Sequence, residues 1–406
     1  MQTIVHKYGG TSVADLERIR AVARRVAGVA RGGSRVAVVV SAQAGETDRL
    51  IRLAHEMARE PHERDMDLLV ATGEQASVAL LSLALRGEGQ ETETFLGFQA
   101  GIFTDGNHGR ARIEGIDPAG VRSALDRGAV AIVAGFQGIA PDGRITTIGR
   151  GGSDTSAVAL AAALRADRCE IFTDVEGVAT ADPRICPDAK LLRRITYEEM
   201  MELADTGAKV LHTRCVELAA RFKVPLVVRS SFTEGEGTWV VPEESVLEGT
   251  VVSGISLTTG EAKVAIRKVP DRVGVTAAIF KPIARAGIDV DLILQNVSED
   301  GFTDLTFTVP KADLRRAMQL AEQAARDVKA GRVEAAGDIA KVSVVGLGMR
   351  SHAGVAHRMF EALAAEGIAI EMIGTSEIKV SIVVDIREAE RAVRVLHKAF
   401  GLAISS

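Results

Sequence analysis

Continuous apolar strands alternating with helical segments fill the first 245 residues, and this alternation restricts the fold more than any other feature of the chain. Thr3–Tyr8, Arg35–Ser41, Ala129–Ala134, Cys169–Thr173 and Val224–Arg229 are short, β-branched and apolar at successive positions. A strand without a polar face needs cover on both sides. Helical patterns over Val13–Val29, Asp65–Leu85, Ser153–Leu164 and Tyr197–Leu203 lie between them and supply that cover. The pattern predicts an α/β unit over 1–245, with a mostly parallel sheet between two helical layers. The polar stretches Thr233–Gly237 and Pro242–Glu244 mark its end.

The remainder carries an internal repeat. Ala262-Lys263-Val264 recurs as Ala340-Lys341-Val342, and Gly274, Phe280, Gly287 and Ile288 recur 80 positions later as Gly354, Phe360, Gly367 and Ile368. Each copy reads strand, glycine turn, helix, Gly-Ile, two strands, helix. That order is the ferredoxin-like βαββαβ unit. One module is expected over 262–336 and the other over 246–261 plus 337–406. Few ionisable residues sit on their glycine turns, which suggests sensing rather than catalysis.

Composition removes several classes of function. Lys and Arg total 49 against 54 Asp and Glu, a formal net charge of −5, and that balance does not fit a strongly basic nucleic-acid binder. Twelve Phe, two Tyr and one Trp leave little for a base-stacking platform. No uninterrupted apolar run approaches the roughly 20 residues of a membrane span, and Met1–Lys7 has no signal-peptide pattern. Cys169, Cys186 and Cys215 are odd in number and widely spaced, giving neither a disulfide framework nor a zinc site. A cytoplasmic protein without nucleic-acid or membrane partners is the expectation, and no dedicated metal ligand is assigned.

The 40 glycines exceed the usual share of about 7% and cluster at strand ends. Lys7-Tyr8-Gly9-Gly10-Thr11-Ser12 closes the first strand, with Thr11 or Ser12 as the expected helix cap. Glycines there let backbone N–H groups reach an anion while Lys7 adds a full charge. Gly149-Arg150-Gly151-Gly152-Ser153-Asp154-Thr155 enters another helix, and Arg beside three glycines suits a carboxylate or phosphate. Ser41–Asp48, Thr72-Gly73-Glu74 and Thr173–Gly177 with Thr180–Arg184 are further clusters. Ligands of open parallel sheets sit at the carboxyl ends of strands. No G-x-x-x-x-G-K-[ST] sequence is present, and Gly346-Leu347-Gly348 lacks the third glycine of a dinucleotide fingerprint, having Ser351 instead.

With these motifs in order, the chain resembles the aspartate kinases of the amino-acid kinase superfamily. The resemblance rests on KYGGTSV (Lys7–Val13), VVVSA with TD (Val38–Asp48), GE (Gly73-Glu74), GFQG (Gly135–Gly138), GRGGSDT (Gly149–Thr155), TDVEGVATADPR (Thr173–Arg184), GAKVLH (Gly207–His212), VRSS (Val228–Ser231), LQNVS (Leu294–Ser298) and TSEIKVS (Thr375–Ser381). It implies an amino-acid kinase domain followed by two ACT modules. The implied reaction moves the γ-phosphoryl of ATP, as its Mg²⁺ complex, to the side-chain carboxylate of L-aspartate. Lys7, Gly10 and Asp154 are then catalytic. Ser41, Thr47, Glu74, Arg150, Gly151 and Ser153 hold aspartate, with Arg150 on the α-carboxylate and Glu74 on the ammonium. Lys7, Tyr8, Gly9, Gly10, Thr173, Asp174, Ala179, Asp182, Arg184, Lys209 and Val210 match nucleotide positions. Asp271, Gly274, Gln295, Asn296, Ser351, Ser376 and Glu377 match effector positions, for lysine and/or threonine. A homo-oligomer formed through the ACT modules is implied, with a shorter regulatory subunit as an open alternative partner.

Two other readings stand beside this one. A sibling kinase acting on glutamate, acetylglutamate or a nucleotide is disfavoured by Glu74, which suits a free ammonium, and by the tandem repeat. A catalytically dead amino-acid sensor is disfavoured by the presence of Lys7, Arg150 and Asp154. Five positions depart from the family pattern: Gln43-Ala44 replaces Met-Gly, Ala179 replaces Tyr, Val273 replaces Pro and Ala356 replaces Thr.

Overall fold

The structure is a computed structural model, and it describes every residue except 209, 246–250, 297–299, 351, 353 and 405–406. The chain divides into two compact units. Met1–Ala179, Leu191–Asp205 and Lys209–Glu248 form the first; Thr180–Lys190, Thr206–Ala208 and Gly249–Ser406 form the second.

In the first unit an eight-stranded sheet runs in the order Arg194–Thr196, Thr238–Val241, Leu226–Ser230, Arg168–Thr173, Thr3–Tyr8, Arg35–Val40, Val130–Ala134, Thr92–Phe95. Only Leu226–Ser230 and Thr238–Val241 pair antiparallel. Thr3–Tyr8 and Val130–Ala134 are buried at every position, as unbroken apolar strands require. On one face, Ile19, Val22 and Val26 of helix Leu16–Arg31 meet Val78, Leu81 and Leu85 of helix Thr72–Gly87 over Val38, Val40 and Ile132. Helix Gly152–Leu164 is apolar nearly all round and almost wholly buried. The three-layer α/β architecture is the expected one. A second, four-stranded sheet of Ile113–Ile116, Ile102–Thr104, Gln137–Ile139 and Ile145–Thr147 was not foreseen. Strands of three or four residues carry too little periodicity to read.

Two local expectations need correction. The first helix begins at Leu16, after a 3₁₀ turn over Gly10–Val13, and its cap is Asp15, whose carboxylate accepts from Arg18 N–H at 2.8 Å. Ser12 instead bonds the Ser231 hydroxyl at 2.6 Å. The helical pattern Asp65–Leu85 is two helices, Glu63–Val70 and Thr72–Gly87, broken at Ala71. Gln137 Nε2 donates to the Ala71 carbonyl at 3.0 Å and pins the break. Taken together, Glu63–Gly87 is 25 residues long and apolar enough to cross a membrane by length and composition. Half of its most apolar part is buried inside the protein, as in a core helix.

The second unit is built on a six-stranded antiparallel sheet in the order Ile293–Gln295, Phe302–Pro310, Gly254–Pro270, Val333–Val345, Lys379–Asp385, Met372–Thr375. The two long central strands are shared, and their register shifts between Thr259 and Lys263. Each half has its own core. Val264, Ile266 and Phe307 pack under Val275, Ile279 and Ile283. Val342, Val344 and Ile382 pack under Val355, Met359 and Leu363. The helix residues in the two sets are 80 positions apart, so the repeat seen in sequence is a repeat of core contacts. Gly274 and Gly354 open the two equivalent helices at φ 91° and 104°. Thr180–Lys190 belongs to this unit although it lies within the first 245 residues. Ala181 and Cys186 join the second core, and the Thr180 hydroxyl donates to the Leu402 carbonyl at 2.9 Å.

Candidate active site

In the first unit a cleft of about 370 Å³ opens at the carboxyl ends of Thr3–Tyr8 and Arg35–Val40, where a parallel sheet places its ligands. Lys7, Gly10, Ser41, Thr47, Glu74, Arg150, Gly151, Ser153 and Asp154 all line it. The structure thus brings together every residue named above for catalysis or aspartate binding.

Lys7 projects from the end of its strand, 8% exposed, and its ammonium lies 2.5 Å from the Asp154 carboxylate. Asp154 sits in the first turn of helix Gly152–Leu164, so helix dipole and Lys7 put positive potential on one side of the cleft. Gly10 lies against the neighbouring turn; a β-carbon there would come within 2.8 Å of the Ala42 carbonyl oxygen. Ala44 N–H donates to the Gly10 carbonyl at 3.2 Å, and Gln43 Nε2 donates to Val13 and Ala14 carbonyls at 3.1 and 3.3 Å. Gln43-Ala44, the departure from the family pattern, thereby fastens the two loops together.

Glu74 and Arg150 differ sharply in setting. Glu74 is 3% exposed; one carboxylate oxygen accepts from Ala42 N–H at 2.9 Å and the other is buried without a hydrogen-bond partner. Burial pushes its carboxyl up to about 7, against the opposing pull of backbone N–H groups at Ala42 and Glu74. Arg150 is exposed and makes no hydrogen bond or ion pair among the described residues. An anchored acid lacking one partner and an unengaged guanidinium in one cleft suit a ligand carrying both an ammonium and a carboxylate.

The residues matched to nucleotide positions are dispersed. Gly9 N–H donates to the Phe172 carbonyl at 3.3 Å, and the site for its β-carbon is 3.4 Å from the Lys7 ammonium. Tyr8 lies in the core beneath the cleft, fully buried and stacked on Phe172 at 4.6 Å, so its ring is not part of the lining. Thr173 ends a strand of the main sheet and donates to Asp174 at 3.1 Å; Ala179 bridges Leu191; Val210 is partly exposed. Asp182 and Arg184 fall in the second unit, where the guanidinium approaches the carboxylate at 2.6 Å and holds it below the usual Asp range. Lys209 and Ser351 lie outside the described residues. Of the effector candidates, Asp271 is exposed, Gln295 accepts from the Thr276 hydroxyl at 3.1 Å, the Asn296 carbonyl accepts from Thr303, Ser376 N–H donates to the Lys379 carbonyl at 2.8 Å, and Glu377 pairs with Arg350 at 3.4 Å.

Phe136 lines the cleft too; it stands in the GFQG motif, but no site role was assigned to it from sequence. It is a non-glycine residue at φ 67°, held by a bond from its N–H to Ser156 Oγ and one from Ile148 N–H to its carbonyl. A strained backbone at a ligand site is seen only in coordinates.

Fold and cleft together define an amino acid kinase carrying two ferredoxin-like repeat modules. Residues 2–230 match the amino acid kinase family, and 264–326 and 342–400 each match the ACT domain. The chain is 52% identical over 406 residues to an aspartokinase of Pseudomonas aeruginosa, covering 99% of this chain and 98% of that protein. It is 46% identical over 407 residues to an aspartokinase of Mycobacterium tuberculosis, covering 99% and 97%. Among solved structures, Escherichia coli aspartokinase III in complex with aspartate and ADP is similar at a TM-score of 0.80, with 28% identity over 98% of this chain and 99% of that one. The chain belongs to the aspartokinases, and its activity is that of an aspartate kinase, a phosphotransferase with a carboxyl acceptor.

Proposed function

We propose that the cleft holds L-aspartate between Glu74 and Arg150 and presents its side-chain carboxylate to the γ-phosphoryl of ATP beside Lys7. The observation that carries this reading is the unpartnered Glu74 oxygen in the same cleft as the unpaired Arg150 guanidinium. Glu74 takes the ammonium and Arg150 the α-carboxylate, while Ser41, Thr47, Gly151 and Ser153 line the pocket. A carboxylate acceptor with an ordinary pKa near 4 is already ionised at pH 7, so no general base is required. What is required is charge and backbone donors around the transferring group. Lys7 and Gly10 supply them, and Asp154 orients Lys7.

Thr173, Asp174, Ala179, Asp182, Arg184, Lys209 and Val210, with Gly9 and the Tyr8 backbone, are the proposed nucleotide contacts. Of the carboxylates lining the cleft, Asp154 pairs with Lys7, Glu74 accepts from Ala42 N–H and Asp48 is partly exposed. A nucleotide-bound Mg²⁺ would rely chiefly on phosphate and water oxygens, as this hard cation prefers, and would neutralise phosphate charge. The ACT modules are proposed to take lysine and/or threonine at Asp271, Gly274, Gln295, Asn296, Ser351, Ser376 and Glu377. The lysine complex of E. coli aspartokinase III, similar at a TM-score of 0.76 and 28% identity over 98% of this chain and 100% of that one, supports an amino-acid effector. A cytoplasmic homo-oligomer, alone or with a regulatory subunit, that opens a biosynthetic route to lysine, threonine and methionine completes the proposal.

Coupled turnover with L-aspartate, with and without lysine and threonine, tests it. Arg150→Ala should raise the KM for aspartate by about tenfold or more while leaving that for ATP nearly unchanged. An unchanged aspartate KM would refute the clamp. Glu74 adds a pH signature. Its carboxyl, raised to about 7, is mostly protonated at pH 6 and ionised at pH 8, and only the ionised form pairs with ammonium. Aspartate kcat/KM should fall about tenfold per unit below the pKa, a limb that Glu74→Gln abolishes. The stability contribution of this group runs the other way: it is full below the ordinary Glu range and lost as pH rises through about 7. A stability effect alone would therefore give the opposite trend.

A further inference from the structure

We propose that Asp67 is a positioning residue, a buried carboxylate strut that fixes the separation of Glu74 and Arg150 and so sets the fit of the bound amino acid. The inference rests on the aspartate-binding roles given to those two residues.

Asp67 is 1% exposed, yet it touches nothing in the cleft. Its carboxylate accepts from three donors: the Thr147 hydroxyl, His108 Nδ1 at 2.7 Å, and Gly109 N–H, shared by both oxygens at 3.0 and 3.1 Å. A carboxylate only accepts, so the His108 proton resides on Nδ1. A buried acid so fully engaged holds whatever its partners belong to.

Those partners lead to the cleft from two directions. Asp67 lies on helix Glu63–Val70, one residue short of the helix Thr72–Gly87 that carries Glu74. Thr147 stands three residues before Arg150, and its carbonyl accepts from Ala111 N–H at 2.9 Å. The Gly109–Arg110 backbone packs on the Gly149 turn, where an added β-carbon would lie 3.0 Å from the Gly109 carbonyl oxygen. Arg214 completes the grip by donating to the Ile148 and Ala111 carbonyls at 3.0 and 2.9 Å. One carboxylate thus ties the helical segment bearing the ammonium partner to the turn bearing the carboxylate partner.

Asp67→Asn exchanges one accepting oxygen for a donor facing Thr147 or His108. Thr147→Val removes the hydroxyl at nearly constant shape, and Thr147→Ser restores it. The expected result is an aspartate KM raised about tenfold or more by Asp67→Asn and Thr147→Val, an ATP KM within about twofold of wild type, and near-normal values for Thr147→Ser. Arg150→Ala is measured alongside. If it leaves the aspartate KM unchanged, the site reading fails; if it raises that KM while folded Asp67→Asn and Thr147→Val do not, the strut fails. Equal rises in both KM values, or no rescue by Thr147→Ser, would also overturn it by reducing Asp67 to a general stabiliser. Should Asp67→Asn not fold, the two Thr147 variants decide alone.

Discussion

Replacing Lys7 with alanine is expected to lower kcat by about 10³-fold or more, roughly 4 kcal/mol of barrier. The ammonium is almost enclosed, fixed to Asp154 at 2.5 Å, and lies 3.4 Å from the site a β-carbon on Gly9 would take. Phosphoryl transfer to a carboxylate brings two anions together, and the proposed site has no base to share the work, so its fixed cation carries most of the charge stabilisation. The loss should fall on kcat rather than on aspartate KM, because Glu74 and Arg150 hold the ground state by other contacts. The cleft is open to water, so Asp154 left alone can rehydrate and the fold should survive. Single-turnover and steady-state measurements at saturating ATP and aspartate check this. Turnover within tenfold of wild type would remove Lys7 from the mechanism.

Which parts of this site were readable in advance follows from how far each interaction reaches along the chain. Lys7 with Gly9-Gly10, and Arg150 with its glycines, are local patterns at strand ends, so composition and spacing expose them. The 80-residue repeat was readable because each copy must bury the same helix face, and Ile279 and Met359 do so in separate cores. Asp67 was not, since its hydroxyl partner Thr147 lies 80 residues away and neither residue type is unusual. Nor was the left-handed backbone of Phe136, which depends on Ser156 and Ile148 although the GFQG motif around it was legible. The break at Ala71 is silent for the same reason: alanine favours helix, and a glutamine 66 residues away imposes the interruption. Thr180–Lys190 joins the second unit through Ala181 and Cys186 in its core, small apolar residues that would suit either unit. Local pattern fixes which elements exist, whereas distant side chains decide where the backbone bends around the ligand.

Gly151→Ala should be the most damaging conservative change in the cleft, lowering aspartate kcat/KM by about 10²- to 10³-fold. Gly151 has φ 71°, a left-handed conformation costing an alanine about 1–2 kcal/mol. The steric problem is greater. An added β-carbon would lie 2.5 Å from both Cβ and Cγ of His212, too close for any adjustment of a side-chain tip to relieve. The turn must therefore move, and it joins both halves of the site. Arg150 precedes it, Ser153 and Asp154 follow it, and Gly152 N–H closes it onto the Gly149 carbonyl at 2.9 Å. Displacing it should raise aspartate KM through Arg150 and lower kcat through Asp154 and Lys7, unlike Arg150→Ala, which acts on KM alone. His212→Ala keeps the offending Cβ and so should not rescue the variant, whereas His212→Gly removes both contacts and should recover part of the loss. Kinetics of the single and double variants, with thermal melts to confirm folding, decide the matter. A kcat/KM within tenfold of wild type for Gly151→Ala would mean that the turn yields without carrying Arg150 and Asp154 with it.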